Sequence, residues 1–151
     1  MPVTAETIES YFEKYEWTYE RVDDSHFVTG FKSNIVDIFS IYITLTPNWV
    51  YFTISPFLQD PIDPECECKL YKHLLQLCQQ MNMAKFTVNT EGVVILTVEL
   101  PSENLAYSEF VDALETLSYY ADETYLTIKS LATDTTAISG FLEEQDLDWG
   151  E

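Results

Sequence analysis

Between Lys69 and Leu131 the interval between apolar residues changes twice, and each change marks a new element. Leu70, Leu74, Leu75, Leu77, Cys78 and Met81 recur every three or four residues, which gathers them on one side of a helix. Pro61 and Pro64 stand just ahead, where proline is tolerated at or before a first turn, and Asn82 is a suitable stop. The interval then falls to two. Phe86 and Val88 alternate with Thr87 and Asn89; Val94, Leu96, Val98 and Leu100 alternate with Ile95, Thr97 and Glu99. Thr90-Glu91-Gly92 separates the runs as a three-residue hairpin loop, with glycine where the backbone turns left-handed. That loop sets Asn89 against Val93, Val88 against Val94 and Phe86 against Leu96, so the bulky residues share one face. A two-residue loop would set Val88 against Ile95, and a slip of one residue reverses every side chain. Pro101 ends the strand, and Ser102 or Asn104 is the expected cap of the next helix. Its stripe is Tyr107, Phe110, Val111, Leu114, Leu117, Ser118, Ala121, Tyr125 and Ile128; Glu109, Asp112, Glu115, Asp122 and Glu123 fall largely opposite.

The chain ahead of this stretch follows the same logic. Thr4 or Thr7 caps a first helix whose apolar side is Ile8, Tyr11, Phe12 and Tyr15. Trp17 to Val22 alternates as a strand, Asp23-Asp24-Ser25 supplies turn chemistry, and His26 to Phe31 reads as a second strand. The β-branched run from Ile35 to Leu45 turns Phe39, Ile41, Ile43 and Leu45 one way. A four-residue loop, Thr46 to Trp49, then pairs Leu45 with Val50, Ile43 with Phe52 and Ile41 with Ile54. Tyr42, Thr44, Tyr51 and Thr53 are left on the outer face. Such a face suits a protein partner or a second covering layer, and it also suits cross-strand pairing on a wet sheet. The candidate protein-binding residues are Tyr42, Thr44, Tyr51 and Ile95.

Short connections favour antiparallel pairing, and amphipathic helices are at hand to cover the apolar face. The expectation is an α+β domain: an antiparallel sheet of five to six strands with three helices, in α-β-β-β-β-α-β-β-α order. It spans residues 1–131 as one unit. Residues 132–151 are expected to form an acidic, mobile tail, with Glu143, Glu144, Asp146, Asp148 and Glu151 among its last residues.

Charge narrows the partners. The chain has 151 residues with 26 acids against 7 bases, a net charge of −19, and a single arginine, Arg21. A nucleic-acid groove needs clustered Lys and Arg to displace counterions, and an anionic membrane surface needs them too, so neither is an expected partner. A basic protein is favoured electrostatically. The hydrophobic fraction of 46% and aromatic fraction of 15% suffice for a core. No apolar run reaches the roughly 20 residues that span a bilayer. The acidic N-terminal stretch does not read as a secretory signal. Three cysteines, Cys66, Cys68 and Cys78, fit free thiols in a reducing cytoplasm.

Chemistry is hard to find. Cys66-x-Cys68 with His73 and Cys78 departs from the Cys-x₂₋₄-Cys pairs of structural zinc sites, and Cys78 suits a small core position better. His26 and His73 are the only histidines, and neither has a nucleophile beside it in the manner of a Gly-x-Ser-x-Gly elbow. Gly30, Gly92, Gly140 and Gly150 are too scattered for a phosphate loop. No catalytic residue, metal or cofactor is expected. The alternative is a small hydrolase or ligand-binding enzyme that uses a carboxylate pair in a cavity beneath the helices.

Several stretches together resemble a known family. They are Leu74-Leu75-Gln76-Leu77-Cys78-Gln79-Gln80-Met81-Asn82, Ala84-Lys85-Phe86-Thr87-Val88, Glu91-Gly92-Val93-Val94, Glu99-Leu100-Pro101, and the acidic Asp122-Glu123 of the last helix. An apolar helix ending in Asn, a Phe-x-Val strand, an acid-Gly turn and a helix with late acids resemble the YbjN family. These are bacterial proteins regarded as sensory-transduction regulators, similar in fold to the class I type III secretion chaperones. The resemblance runs from about Thr7 to Leu131. It implies a helix–strands–helix–hairpin–helix fold, often dimeric, without catalytic residues, in which the chaperones hold an extended segment of a partner. Composition and resemblance together lead to a non-enzymatic cytoplasmic protein-binding module, chaperone-like or regulatory. It is expected to bind through a sheet face or edge and to form a homodimer.

Overall fold

The first helix begins where Thr4 caps it. The Thr7 amide donates to Thr4 Oγ1 at 3.2 Å, and α1 then runs Ala5–Tyr15 in this computed structural model, which describes residues 1–141. Glu16, at φ 61°, turns the chain out of the helix. Six strands follow in two blocks: β1 (Tyr19–Arg21), β2 (His26–Phe31), β3 (Phe39–Leu45) and β4 (Trp49–Ile54), then β5 (Ala84–Val88) and β6 (Val94–Pro101). Between the blocks lies α2 (Glu67–Gln80), led by a short 3-10 turn, Pro64–Cys66; α3 (Tyr107–Thr133) comes last. All strands pair antiparallel in the order β1-β2-β3-β4-β6-β5. The protein is therefore α+β, with the element order that the residue pattern predicts.

Both hairpin registers agree with the loop counts. Phe86 faces Leu96 and Val88 faces Val94; the Asn89 amide donates to the Val93 carbonyl at 3.1 Å. Gly92 sits at φ 80°, where a side chain is strained, and so fixes the loop length. Leu45 faces Val50 and Ile43 faces Phe52. In consequence Ile41, Ile43, Val50, Phe52, Leu96 and Val98 are all fully buried on one side of the sheet. The three helices add Ile8, Phe12, Leu70, Leu74, Phe110, Leu114, Leu117 and Ile128 to the same cluster. Phe110 stands at its centre, edge-on to Phe12 at 4.9 Å and to Phe52 at 5.9 Å between ring centroids.

Beyond the shortening of the expected Trp17–Val22 strand to β1 and the entry of Trp49 into β4, four local expectations change. The strand predicted from Ile35 begins only at Phe39, because the Ile35 amide is taken by Ser33 Oγ in a local turn. Neither Ser102 nor Asn104 caps α3. The N-cap is Ala106, whose amide donates to Glu109 Oε1 at 2.9 Å; Ser102 is buried and its hydroxyl is given to the Pro47 carbonyl. Leu75 leaves the apolar stripe and is 73% exposed, while His73 takes a buried place instead. The stripe is centred on Leu70, His73 and Leu74, because α2 meets a further segment there. That segment is the fourth difference. Helix α3 continues past Leu131 to Thr133, and the Lys69 ammonium holds the carbonyls of Asp134 and Ala137. Ser139 Oγ then lies 2.7 Å from His73 Nδ1, with the Phe141 ring against the imidazole. The acidic end of the expected tail, residues 142–151, lies outside the described residues.

Candidate functional site

The second face of the sheet is built by the strand positions that alternate with the core. Register places them in rows. Val28, Tyr42, Thr53, Thr97 and Lys85 cross the sheet in one row, and His26, Thr44, Tyr51 and Glu99 in the next. Ile95 faces Thr87 on the far hairpin, and Trp49 faces Pro101 at one end. Tyr42 and Trp49 are 44% and 43% exposed; Val28, Thr44, Tyr51, Thr53 and Ile95 are half-buried by one another. None of the apolar members, Val28, Tyr42, Trp49, Tyr51 and Ile95, packs on the core cluster that the helices share. The structure thus brings Tyr42, Thr44 and Tyr51 together on adjacent strands and places Ile95 on the same face, two strands from Tyr42 and Thr44.

Two hydroxyls in the middle of the face are paired within the sheet. Thr53 Oγ1 and Thr97 Oγ1 lie 3.2 Å apart, and the Thr97 hydroxyl also reaches the Phe52 carbonyl at 3.2 Å, so their polar atoms are spoken for. Lys85 and Glu99 pair at 2.9 Å across β5 and β6. Apart from that pair and the His26 imidazole, which meets Asp23 at 2.8 Å, the ionic side chain that the strands put on this face among the described residues is Glu20, which faces Val28. In a chain of net charge −19, this face is nearly neutral. A cavity of about 260 Å³ opens at its end, lined by Ile38, Ser40, Tyr42, Ser55, Gln59 and Tyr125.

The sheet edges are less open than the face. Strand β1 is three residues long and is tied down by Arg21, which pairs with Glu9 at 2.9 Å and Asp24 at 2.6 Å. On β5, the Phe86 amide donates to Cys78 Sγ at 3.1 Å and the thiol reaches the Phe86 carbonyl at 3.6 Å. A side chain of α2 therefore occupies the centre of that edge, which blunts it as a template for another strand.

Two residues of the face escape the sequence argument. The four-residue loop count puts Trp49 in the turn, whereas it opens β4 two positions before Tyr51. Val28 needed the β2–β3 register, which no loop length supplies. Cys66 is buried and Cys68 exposed; among the described residues no group of three potential ligands could hold a metal. Beneath the helices the space is packed with apolar side chains, and among the described residues no Asp or Glu is buried. Asp60, Glu67 and Glu91 do share a cleft of about 300 Å³ with Tyr71, but on the surface. Among the described residues no helix is long and apolar enough to cross a membrane.

The fold has known counterparts. YbjN of E. coli, for which a role as transcription regulator has been suggested, superposes with a TM-score of 0.57 at 13% identity, over 80% of this chain and 90% of that one. The ExoU–SpcU heterodimer of the Pseudomonas aeruginosa type III secretion system contains a chain that superposes with a TM-score of 0.55 at 13% identity, over 83% and 98%. At this identity the likeness is one of fold. No protein-family model matches the chain, and no curated protein matches it.

Proposed function

We propose that this chain is a non-enzymatic protein-binding module, chaperone-like or regulatory, that holds a partner across the outer sheet face around Tyr42, Thr44, Tyr51 and Ile95. The observation that carries the reading is the face itself. It is aromatic and β-branched, unshared with the core and nearly free of charge, on a chain that is otherwise strongly acidic. Exposed tyrosine and tryptophan are the residue types that concentrate binding energy in interfaces. The covered edge at Phe86 favours the face over strand addition. The counterparts in fold support the same reading: one was solved as a chain of a heterodimeric complex with another protein, and the other is regarded as a transcription regulator. The reading extends to a cytoplasmic setting, kinship with the YbjN family and a homodimer.

The test compares the full chain with Thr44→Glu/Tyr51→Glu, which puts two charges on the face without touching the core. Tagged protein is used to capture partners from lysate of the source cells, and light scattering gives the oligomeric state. The expected result is a partner, or a dimer, that the native face holds and the doubly charged face loses. The same partners and the same mass for both proteins would refute the reading.

A further inference from the structure

A second surface lies on the solvent side of α3, away from the sheet, and shares no residue with the face above. Asp112, Thr116 and Tyr119 follow one another at helical intervals, with Glu115 and Tyr120 alongside. The connection from α2 to β5 closes one side of this stripe. The Asn82 amide donates to Tyr120 Oη at 2.9 Å, and the Thr116 hydroxyl lies 3.6 Å from Met83 Sδ. Together they line an open, shallow groove of about 420 Å³. Its apolar walls remain open to water: Tyr119 is 60% exposed and Met83 41%.

The rim of the groove is negative and unneutralised. Asp112 and Glu115 are exposed, and neither takes part in any ion pair among the described residues. Residues 142–151 contain no Lys or Arg, so the rest of the chain has no cation to offer. Glu115 accepts a hydrogen bond from the nearby Tyr15 phenol at 3.1 Å. Burial first, and then its hydrogen bond to Glu115, push the phenol up to about 12. Thioether, phenol rings and paired carboxylates in one groove make a fit for a cation carried on an aliphatic stem.

We propose that this groove takes an arginine or lysine side chain from a basic segment of a partner protein, the cation lying between Asp112 and Glu115 and its stem along Met83 and Tyr119. Charge complementarity selects the occupant. A chain of net charge −19 repels its own copies at this rim and attracts a basic segment. The proposal does not rest on the sheet-face reading, since the two surfaces share no residue.

The experiment titrates a short Gly/Ser peptide carrying two arginines onto the full chain by calorimetry at low salt, beside the same peptide with citrulline in place of arginine. Asp112→Asn/Glu115→Gln should weaken arginine-peptide binding about tenfold. Glu65→Gln/Glu91→Gln, the same charge change on exposed positions of other elements, should weaken it by less than about twofold. Tyr119→Phe should preserve binding and Tyr119→Ala reduce it, with unchanged circular dichroism showing that each variant is folded. The sheet variant Thr44→Glu/Tyr51→Glu should bind the peptide as the native chain does, which separates this outcome from failure of the sheet-face reading. Equal weakening by both charge pairs would reduce the effect to the general field and overturn the proposal. So would equal binding of the citrulline peptide, no binding of the arginine peptide, or spermidine binding as tightly with the same dependence on Asp112 and Glu115.

Discussion

The outer sheet face and the solvent side of α3 lie on opposite sides of one core, and they differ in what they ask of a partner. On the sheet, Lys85 and Glu99 neutralise each other at 2.9 Å, and the remaining outward positions are mostly Val, Ile, Thr, Ser, Tyr and Trp. On α3, Asp112 and Glu115 stand unpaired among the described residues, beside Tyr119 and Met83. A nearly neutral face discriminates by shape and apolar area, and its contacts change little with salt. An acid-rimmed groove discriminates by sign and loses affinity as salt screens it. The contrast has a structural origin. A strand in a hydrogen-bonded row keeps its outward side chains close to cross-strand neighbours, so each tends to be shared. A helix projects its outer side chains into water, where nothing in the chain need answer them.

The largest test of this comparison removes what both surfaces stand on. Phe110 is fully buried and touches Phe12 of α1 and Phe52 of β4. Phe110→Ala should cost roughly 3–5 kcal/mol in urea unfolding, because a ring-sized cavity opens where α3 meets the sheet. It should weaken partner capture and peptide binding together. Loss of one alone would show that the surfaces stand on separate foundations.

A smaller effect separates the two surfaces. Raising salt from about 50 to about 500 mM takes the Debye length from roughly 14 Å to roughly 4 Å. Arginine-peptide binding at the groove should fall about tenfold over that range, while association through the sheet face should change by less than about twofold. Equal salt dependence for both, read by calorimetry and by light scattering, would erase the contrast between the two surfaces.

The smallest effect belongs to neither surface and serves as a control on both. His73 is buried under Ser139 and Phe141, and burial pushes its imidazole below the ordinary histidine range. The neutral form is therefore the one that the fold holds. Its contribution is complete above about pH 6.5, where the unfolded chain is also neutral, and is lost as pH falls through the lowered folded value. Asp23 and Asp134 are held below the carboxylate range by the hydrogen bonds they accept, from the Ser25 amide and from Thr136 foremost. They lose their contribution only below about pH 4. His73→Phe should flatten the fall in melting temperature between about pH 7 and pH 5 and leave the more acid loss in place. An unchanged slope would mean that the imidazole is not held neutral.

Much of the sheet is legible in the amino-acid order because two local rules suffice. Side chains alternate, and loop length sets the register. Thr90-Glu91-Gly92 and Thr46 to Trp49 bring Phe86 against Leu96 and Ile43 against Phe52 with no help from distant residues. The candidate face follows at once, since Tyr42, Thr44, Tyr51 and Ile95 are what the core positions leave over. Helix α2 is less legible. Leu75 and His73 are two positions apart, and a hydrophobic scale ranks them in the wrong order. His73 is buried because the chain returns sixty-six residues later to place Ser139 on its ring nitrogen, and Leu75 is exposed because nothing returns to cover it. The groove on α3 was invisible for the same reason. It joins Met83 to Thr116 and Asn82 to Tyr120, contacts that span thirty-three and thirty-eight residues.

Taken alone, the order of residues determined the class of fold, the two hairpin registers and which strand positions face away from the core, because these depend on period and loop length within short reach. Only the tertiary structure decided that a thiol would seal the β5 edge, that a polar ring would lie buried in α2, and that two tyrosines and a methionine would stand beside carboxylates without an ion pair among the described residues. Those outcomes depend on which distant segments meet, and burial is a property of the neighbour as much as of the residue.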